Sequence, residues 1–158
     1  MRLPILDKLD LQLKDTKHEL EVEIPAALKV ATAMGDLSEN AEYKAAKERQ
    51  MFLEARVSQL QKRISEVMSL NVDRIPKDRS GLGSTVQLKD LNTGNEKTYY
   101  LVFPEEVNPD EGKISLASPI GRSLLGKMEG DEVQMSIAGE DYEYEVIQLS
   151  TIHDSQEE

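Results

Sequence analysis

Apolar positions in the first half of the chain recur at Leu6, Leu9, Leu13, Thr16, Leu20, Ile24, Ala27, Ala31 and Met34. Steps of three and four residues alternate along this row, which predicts an amphipathic helix with a coiled-coil seam. Two successive four-residue steps around Leu20 interrupt the alternation as a stutter, which locally unwinds a supercoil. Pro25 follows at once and lacks a backbone donor, so a kink or break is expected there. A second seam runs through Ala46, Gln50, Leu53, Val57, Leu60, Ile64 and Val67. Between the seams, Gly35-Asp36-Leu37-Ser38-Glu39-Asn40 can turn the chain, so the two helices are expected to pair as an antiparallel hairpin. An arm of about 30 helical residues reaches roughly 45 Å at 1.5 Å per residue.

Beyond residue 84 the period changes to two. Val86–Leu88, Tyr100–Phe103, Ile114–Leu116, Val133–Ile137 and Tyr142–Val146 read as five short strands. Asn92-Thr93-Gly94-Asn95, Asn108-Pro109-Asp110-Glu111-Gly112 and Ala138-Gly139-Glu140-Asp141 separate them as turns. One short helix is expected after Ser118 as N-cap and Pro119 at its first position, with Leu124 and Leu125 buried before Gly126 ends it. The predicted class is α+β: a helical hairpin over 1–75, a Pro/Gly-bearing linker over 76–83, a small α+β domain over 84–150 and a polar tail over 151–158.

Composition narrows the chemistry. The 158 residues are 39% hydrophobic and 31% charged, enough apolar content for a packed core. The absence of cysteine excludes thiol catalysis, disulfides, Cys zinc sites and iron–sulfur clusters. His18 and His153 lie too far apart in sequence to suggest a metal motif. No apolar run reaches the roughly 18 residues of a membrane span, and the expected location is the cytoplasm. The formal net charge of −11 argues against holding duplex DNA by bulk charge. That charge is uneven, with −1 over residues 1–75 and −10 over 76–158.

The sharpest chemical feature is the turn itself, where Asp36, Glu39 and Glu42 stand close together in sequence. One reading is structural: Asp36-x-x-Glu39 is a capping-box variant, and acidic groups in a first helical turn suit the macrodipole. The other is functional: exposed carboxylates offer hard oxygen ligands to Mg²⁺, with the remaining ligands supplied from elsewhere. Both can hold, because a cap occupies one carboxylate oxygen and leaves the other. The adjoining flank is basic, with Lys44, Lys47, Arg49, Arg56, Lys62 and Arg63 against Glu48 and Glu54. Arg49, Arg56 and Arg63 recur every seven residues and share a helix face. They form either a solvated flank or, with Lys44 and Lys47, a phosphate-contacting row. No nucleophile–base pair elsewhere points to a self-contained enzyme.

Gly35–Tyr43, followed by Ala45-Ala46 and Glu48-Arg49-Gln50, resembles the hairpin tip of bacterial Gre-type transcript cleavage factors, the GreA/GreB family. Ser118–Lys127 with Glu129–Val133 resembles that family's C-terminal FKBP-like domain. The resemblance covers roughly residues 26 to 149. It implies a factor that binds bacterial RNA polymerase, passes its coiled coil down the secondary channel and stimulates the polymerase's own cleavage of backtracked RNA, acting at the RNA 3′ end. Asp36 and Glu39 would then help hold a second, weakly bound Mg²⁺ and orient water, the ion being present only in the complex with polymerase. Two-metal sites place their ions about 3.5–4 Å apart. Ser118, Pro119 and Ile120 are the candidate docking contact with polymerase, and a monomer is expected. The chain departs from the family pattern before the tip glycine, where Ala31-Thr32-Ala33-Met34 leaves Thr32 in place of an arginine. Two alternatives stay open at this point. One is a channel regulator or inhibitor without cleavage activity, and the other is a coiled-coil adaptor with a prolyl isomerase module.

Overall fold

The computed structural model describes residues 2–154, which separate into two compact units, Met1–Leu70 and Asn71–Glu158. In the first unit, α1 (Pro4–His18), a π-helical turn (Glu19–Glu23) and α2 (Ile24–Ala33) follow one another without interruption. A turn then leads into α3 (Ala41–Met68), which packs along both earlier helices. The unit is the antiparallel helical hairpin that the two seams predict.

Its core follows the heptad. On α3 the buried residues are Ala46, Leu53, Leu60 and Val67, seven apart, while Gln50, Val57 and Ile64 between them are half-buried. The opposite stripe buries Ile5, Leu6, Leu9, Ile24 and Ala31. Large side chains occupy the end near the chain's beginning, and Ala31 and Ala46 occupy the end near the turn. Interhelical distance depends on the side chains at the contact, so alanine lets the helices approach closely there.

The irregularity expected at Pro25 lies one turn earlier. The Ile24 N–H bonds to the Glu19 carbonyl, five residues back, and His18, Glu23 and Ile24 all keep right-handed helical backbone angles. The helix therefore changes winding instead of breaking. A π turn takes up the additional residue of the stutter and widens the backbone just before a proline that has no donor to contribute.

The second unit is a five-stranded sheet ordered β3-β2-β1-β5-β4, from β1 (Thr85–Asp90), β2 (Glu96–Val102), β3 (Lys113–Ser115), β4 (Glu132–Ile137) and β5 (Glu140–Ser150). All pairings are antiparallel except β2 with β3. Alternate residues build one core, including Val86, Leu88, Leu101, Val133, Met135, Tyr144 and Val146. Leu124 of α4 (Pro119–Leu124) completes it. Gly121 allows that helix to close on β3, since a Cβ there would stand 2.0 Å from the Ser115 carbonyl oxygen.

Three expectations change in this unit. Residues 76–83, read as a linker, contain Ser80 and Gly81, both buried. The Ser80 N–H donates to the Lys127 carbonyl, its carbonyl accepts from Gly126 at 2.9 Å, and its hydroxyl donates to the Leu124 carbonyl. Small polar residues here satisfy backbone groups after α4 and do not mark a free connector. The polar tail begins later than residue 151, because Thr151 and Ile152 are buried and His153 Nε2 donates to the Ile75 carbonyl at 2.7 Å. Residues 155–158 of that expected tail lie outside the described residues. Leu125, expected in the core beside Leu124, is half-exposed where the chain turns to extended backbone at the helix end.

Candidate functional site

The tip runs from Met34 to Asn40, joining α2 to α3. Gly35 opens it with φ +128°, a conformation L-residues rarely adopt. The candidate capping box does not form. The N-cap of α3 is Asn40, whose side-chain oxygen accepts from the Tyr43 N–H at 3.0 Å. Asp36 closes a local turn instead: its Oδ1 accepts from the Ser38 N–H at 3.0 Å and the Ser38 hydroxyl at 2.9 Å. The N-cap position lies four residues beyond Asp36, too far for its carboxylate to fill it.

This arrangement sets the electrostatics. The Ser38 N–H, followed by its hydroxyl, holds the Asp36 carboxyl below its ordinary value by stabilising the anion. One oxygen is engaged and Oδ2 remains available. Glu39 is exposed and makes no hydrogen bond or ion pair among the described residues. Glu42 lies in the first turn of α3. The tip thus presents carboxyl oxygens from a short loop and the first turn of α3, a donor set that fits a hard divalent cation. Among the described residues no group of three or more Asp, Glu or His could hold a metal ion by itself.

The sequence order hid the role of Asn40. Its side-chain Nδ2 donates to the Ala31 carbonyl at 2.7 Å, so one amide joins the end of α2 to the start of α3. An asparagine just ahead of a periodic run is an N-cap signal, which could have located half of this role.

The basic row is differently disposed from the expected free stripe. Arg49, Arg56 and Arg63 each lie three residues beyond a buried heptad position, on the flank that borders the opposing helix. Arg49 grips Glu19 with two bonds, 2.6 and 2.9 Å, and its guanidinium lies 5.0 Å from the Phe52 ring centroid. Arg63 pairs with Glu66 at 3.3 Å. Lys47 reaches Gln50 at 3.4 Å and lies over Tyr43. Arg56 and Lys44 have no ion pair among the described residues. Thr32, which stands in place of the arginine of the resembled pattern, turns its hydroxyl back to the Leu28 carbonyl at 2.7 Å.

In the second unit, the candidate docking residues surround the start of α4. Ser118 is committed to structure: its hydroxyl donates to the Ser115 carbonyl at 2.7 Å and accepts from the Gly121 N–H at 3.0 Å. Pro119 is exposed, and Ile120 packs partly against the core. No helix among the described residues is long and apolar enough to cross a membrane.

Comparison with known proteins gives consistent assignments for both units. Residues 5–68 match the family described as transcription elongation factor, N-terminal, and residues 75–151 match transcription elongation factor GreA/GreB, C-term. Transcription elongation factor GreA of Thermodesulfovibrio yellowstonii is 37% identical over 153 residues, spanning 94% of this chain and 97% of the relative. The GreA protein of Desulfovibrio desulfuricans is 42% identical, over 90% of this chain and 87% of its own. The crystal structure of GreA factor homolog 1 from Thermus thermophilus is 28% identical across 91% of this chain and 93% of its own, with a TM-score of 0.43. The order of the two units, the tip motif and these matches agree: the chain belongs to the GreA/GreB family of transcription elongation factors.

Proposed function

We propose that this chain binds RNA polymerase, carries its helical hairpin into the secondary channel and stimulates the polymerase's cleavage of backtracked RNA. The observation that carries this reading is the tip. Two carboxylates, Asp36 and Glu39, stand exposed at the end of a long hairpin whose core there narrows to alanine. Helices that approach closely make a slender probe suited to a confined channel.

Asp36 and Glu39 are the residues that would hold Mg²⁺ jointly with the polymerase, and the bound ion would supply charge stabilisation to phosphodiester hydrolysis and a more acidic water. Asp36 arrives ionised, because Ser38 already stabilises its charge. Its free oxygen and the unencumbered Glu39 can accept hydrogen bonds from a water and hold it near the scissile phosphate. The hairpin excludes bulk water around them as it fills the channel. Lys44 and Lys47 beside the tip, and Arg56 further along α3, offer cations for extruded RNA or acidic channel walls. Arg49 and Arg63 are more committed to their carboxylate partners. The exposed Pro119 and the neighbouring Ile120 are the proposed docking contact of the second unit.

The test is to add the protein to a stalled, backtracked polymerase complex with Mg²⁺ and resolve the RNA on a gel. Release of short 3′ fragments that depends on the protein supports the proposal. Tight binding without fragment release would identify a regulator that occupies the channel and leaves the RNA intact.

A further inference from the structure

The residues of the tip loop from Met34 to Glu39 are all exposed, so packing does not fix where the candidate carboxylates stand. Hydrogen bonds must do so. The Met34 N–H donates to the Ala31 carbonyl at 3.1 Å, and Asp36 with Ser38 closes the middle of the loop. These bonds are local and leave the separation of the two helix ends open. Asn40 is partly buried and spans it: Nδ2 to Ala31 O at 2.7 Å, and Oδ1 to Tyr43 N at 3.0 Å. Its backbone carbonyl also accepts the Lys44 N–H at 3.1 Å, so the residue is held on three sides. Glu39 precedes it directly and has no hydrogen bond or ion pair of its own among the described residues. The place of Glu39 is therefore inherited from Asn40.

We infer that Asn40 is the positioning residue of the tip: its side-chain amide clamps the mouth of the loop and so sets where Asp36 and Glu39 meet metal and water. Only a side chain that donates and accepts at this reach can do both jobs. Aspartate can cap α3 but cannot donate to Ala31, and serine can cap but is too short to bridge. Since Asn, Asp and Ser are comparable N-caps, these replacements separate bridging from capping. The inference rests on the proposed cleavage function for its activity consequence and on the loop alone for its structural one.

The experiment uses the full chain and its Asn40→Asp and Asn40→Ser variants, with Asn40→Ala as the variant that loses both roles. Three quantities are measured: competition for polymerase, cleavage rate at saturating factor across a Mg²⁺ titration, and amide hydrogen exchange of residues 35–39 without polymerase. Asn40→Asp and Asn40→Ser are expected to keep the parent's melting temperature closely and its polymerase affinity. Their maximal rate should fall about tenfold, the scale of one hydrogen bond, and more Mg²⁺ should be needed for half-maximal rate. Their loop amides should exchange faster. The serine variant guards against a new carboxylate at residue 40 binding metal itself. Parent-like rate, Mg²⁺ dependence and exchange in both variants would overturn the clamp and leave Asn40 a helix cap only. If the parent protein releases no RNA fragment, the cleavage reading fails, and exchange at residues 35–39 still decides the clamp.

Discussion

Arg49 grips Glu19 across thirty residues of sequence, Nε to Oε2 at 2.6 Å and Nη2 to Oε1 at 2.9 Å. Glu19 is the first residue of the π turn, so the pair pins α3 to the place where the opposing helix changes its winding. A planar guanidinium holding both carboxylate oxygens adds orientation that a lysine would not supply. Between this point and the tip the hairpin buries only Ile24, Ala31 and Ala46, so its core there is small.

The pair predicts a pH dependence. The Arg49 hydrogen bonds hold the Glu19 carboxyl below its ordinary value of 4.5. A depressed folded-state value gives stability that is present above the unfolded value and lost as pH falls through the folded one. Arg49→Gln should therefore melt at a lower temperature than the parent at neutral pH, with the difference shrinking below about pH 4.5. Arg49 is exposed and Glu19 only partly covered, so salt should shrink it too. Thermal melts of both proteins against pH and salt check this. A difference that persists unchanged in strong acid would mean that Arg49 acts through packing on Phe52.

The hairpin between β4 and β5 carries a correctable strain. Ala138 has φ +53° and Gly139 φ +82°, and they link the paired residues Ile137 and Glu140. Two positive values in a two-residue loop favour Asn-Gly, because asparagine tolerates the left-handed region better than alanine. Ala138→Asn should stabilise the protein by roughly 0.5–1 kcal/mol, read by denaturant titration.

Gly121 predicts the opposite sign. A methyl group 2.0 Å from the Ser115 carbonyl cannot be accommodated without moving α4 off β3. Gly121→Ala should cost on the order of 1–3 kcal/mol by overpacking, again from denaturant midpoints. An unchanged midpoint, or the gain that alanine's better helix propensity alone would give, would show that α4 shifts freely.

The basic flank gives a salt-sensitive test. Replacing Lys44, Lys47 and Arg56 together with Gln leaves the Arg49 and Arg63 pairs in place and retains good helix formers. We expect weaker cleavage of long extruded RNA and a shallower dependence on salt, each lost phosphate contact removing about 0.7 from the slope for a single strand. Cleavage measured over a salt series, with factor concentration varied at each point, reports both effects. An unchanged slope would make the flank a solvated surface.

The parts of this structure that periodicity controls were legible from sequence. Ala46, Leu53, Leu60 and Val67 are buried as the second seam requires, and Val133, Met135, Tyr144 and Val146 are buried by strand alternation. What escaped depends on single hydrogen bonds. Ser80 looks like connector chemistry, yet its hydroxyl and backbone serve carbonyl and amide groups more than forty residues away. Asp36 looks like a helix cap because Asp-x-x-Glu has the right spacing, but Asn40 takes that position and Asp36 turns inward on Ser38. The Arg49, Arg56 and Arg63 row shares a face as its spacing requires. Spacing alone does not reveal that the face borders the opposing helix and finds Glu19 there.

The most direct measurement is RNA cleavage in backtracked polymerase complexes with Asp36→Asn and Glu39→Gln, singly and together, at saturating factor. Each replacement keeps the size of the side chain and removes the anionic charge that a hard cation needs. The account predicts that these proteins fold, compete with the parent for polymerase, and release no RNA fragment above the polymerase's own background. Excess Mg²⁺ should restore part of the rate for the single variants and none for the double variant. Fragment release at the parent rate by the double variant would contradict the account, and would leave Asp36 and Glu39 as residues that merely shape and solvate a turn.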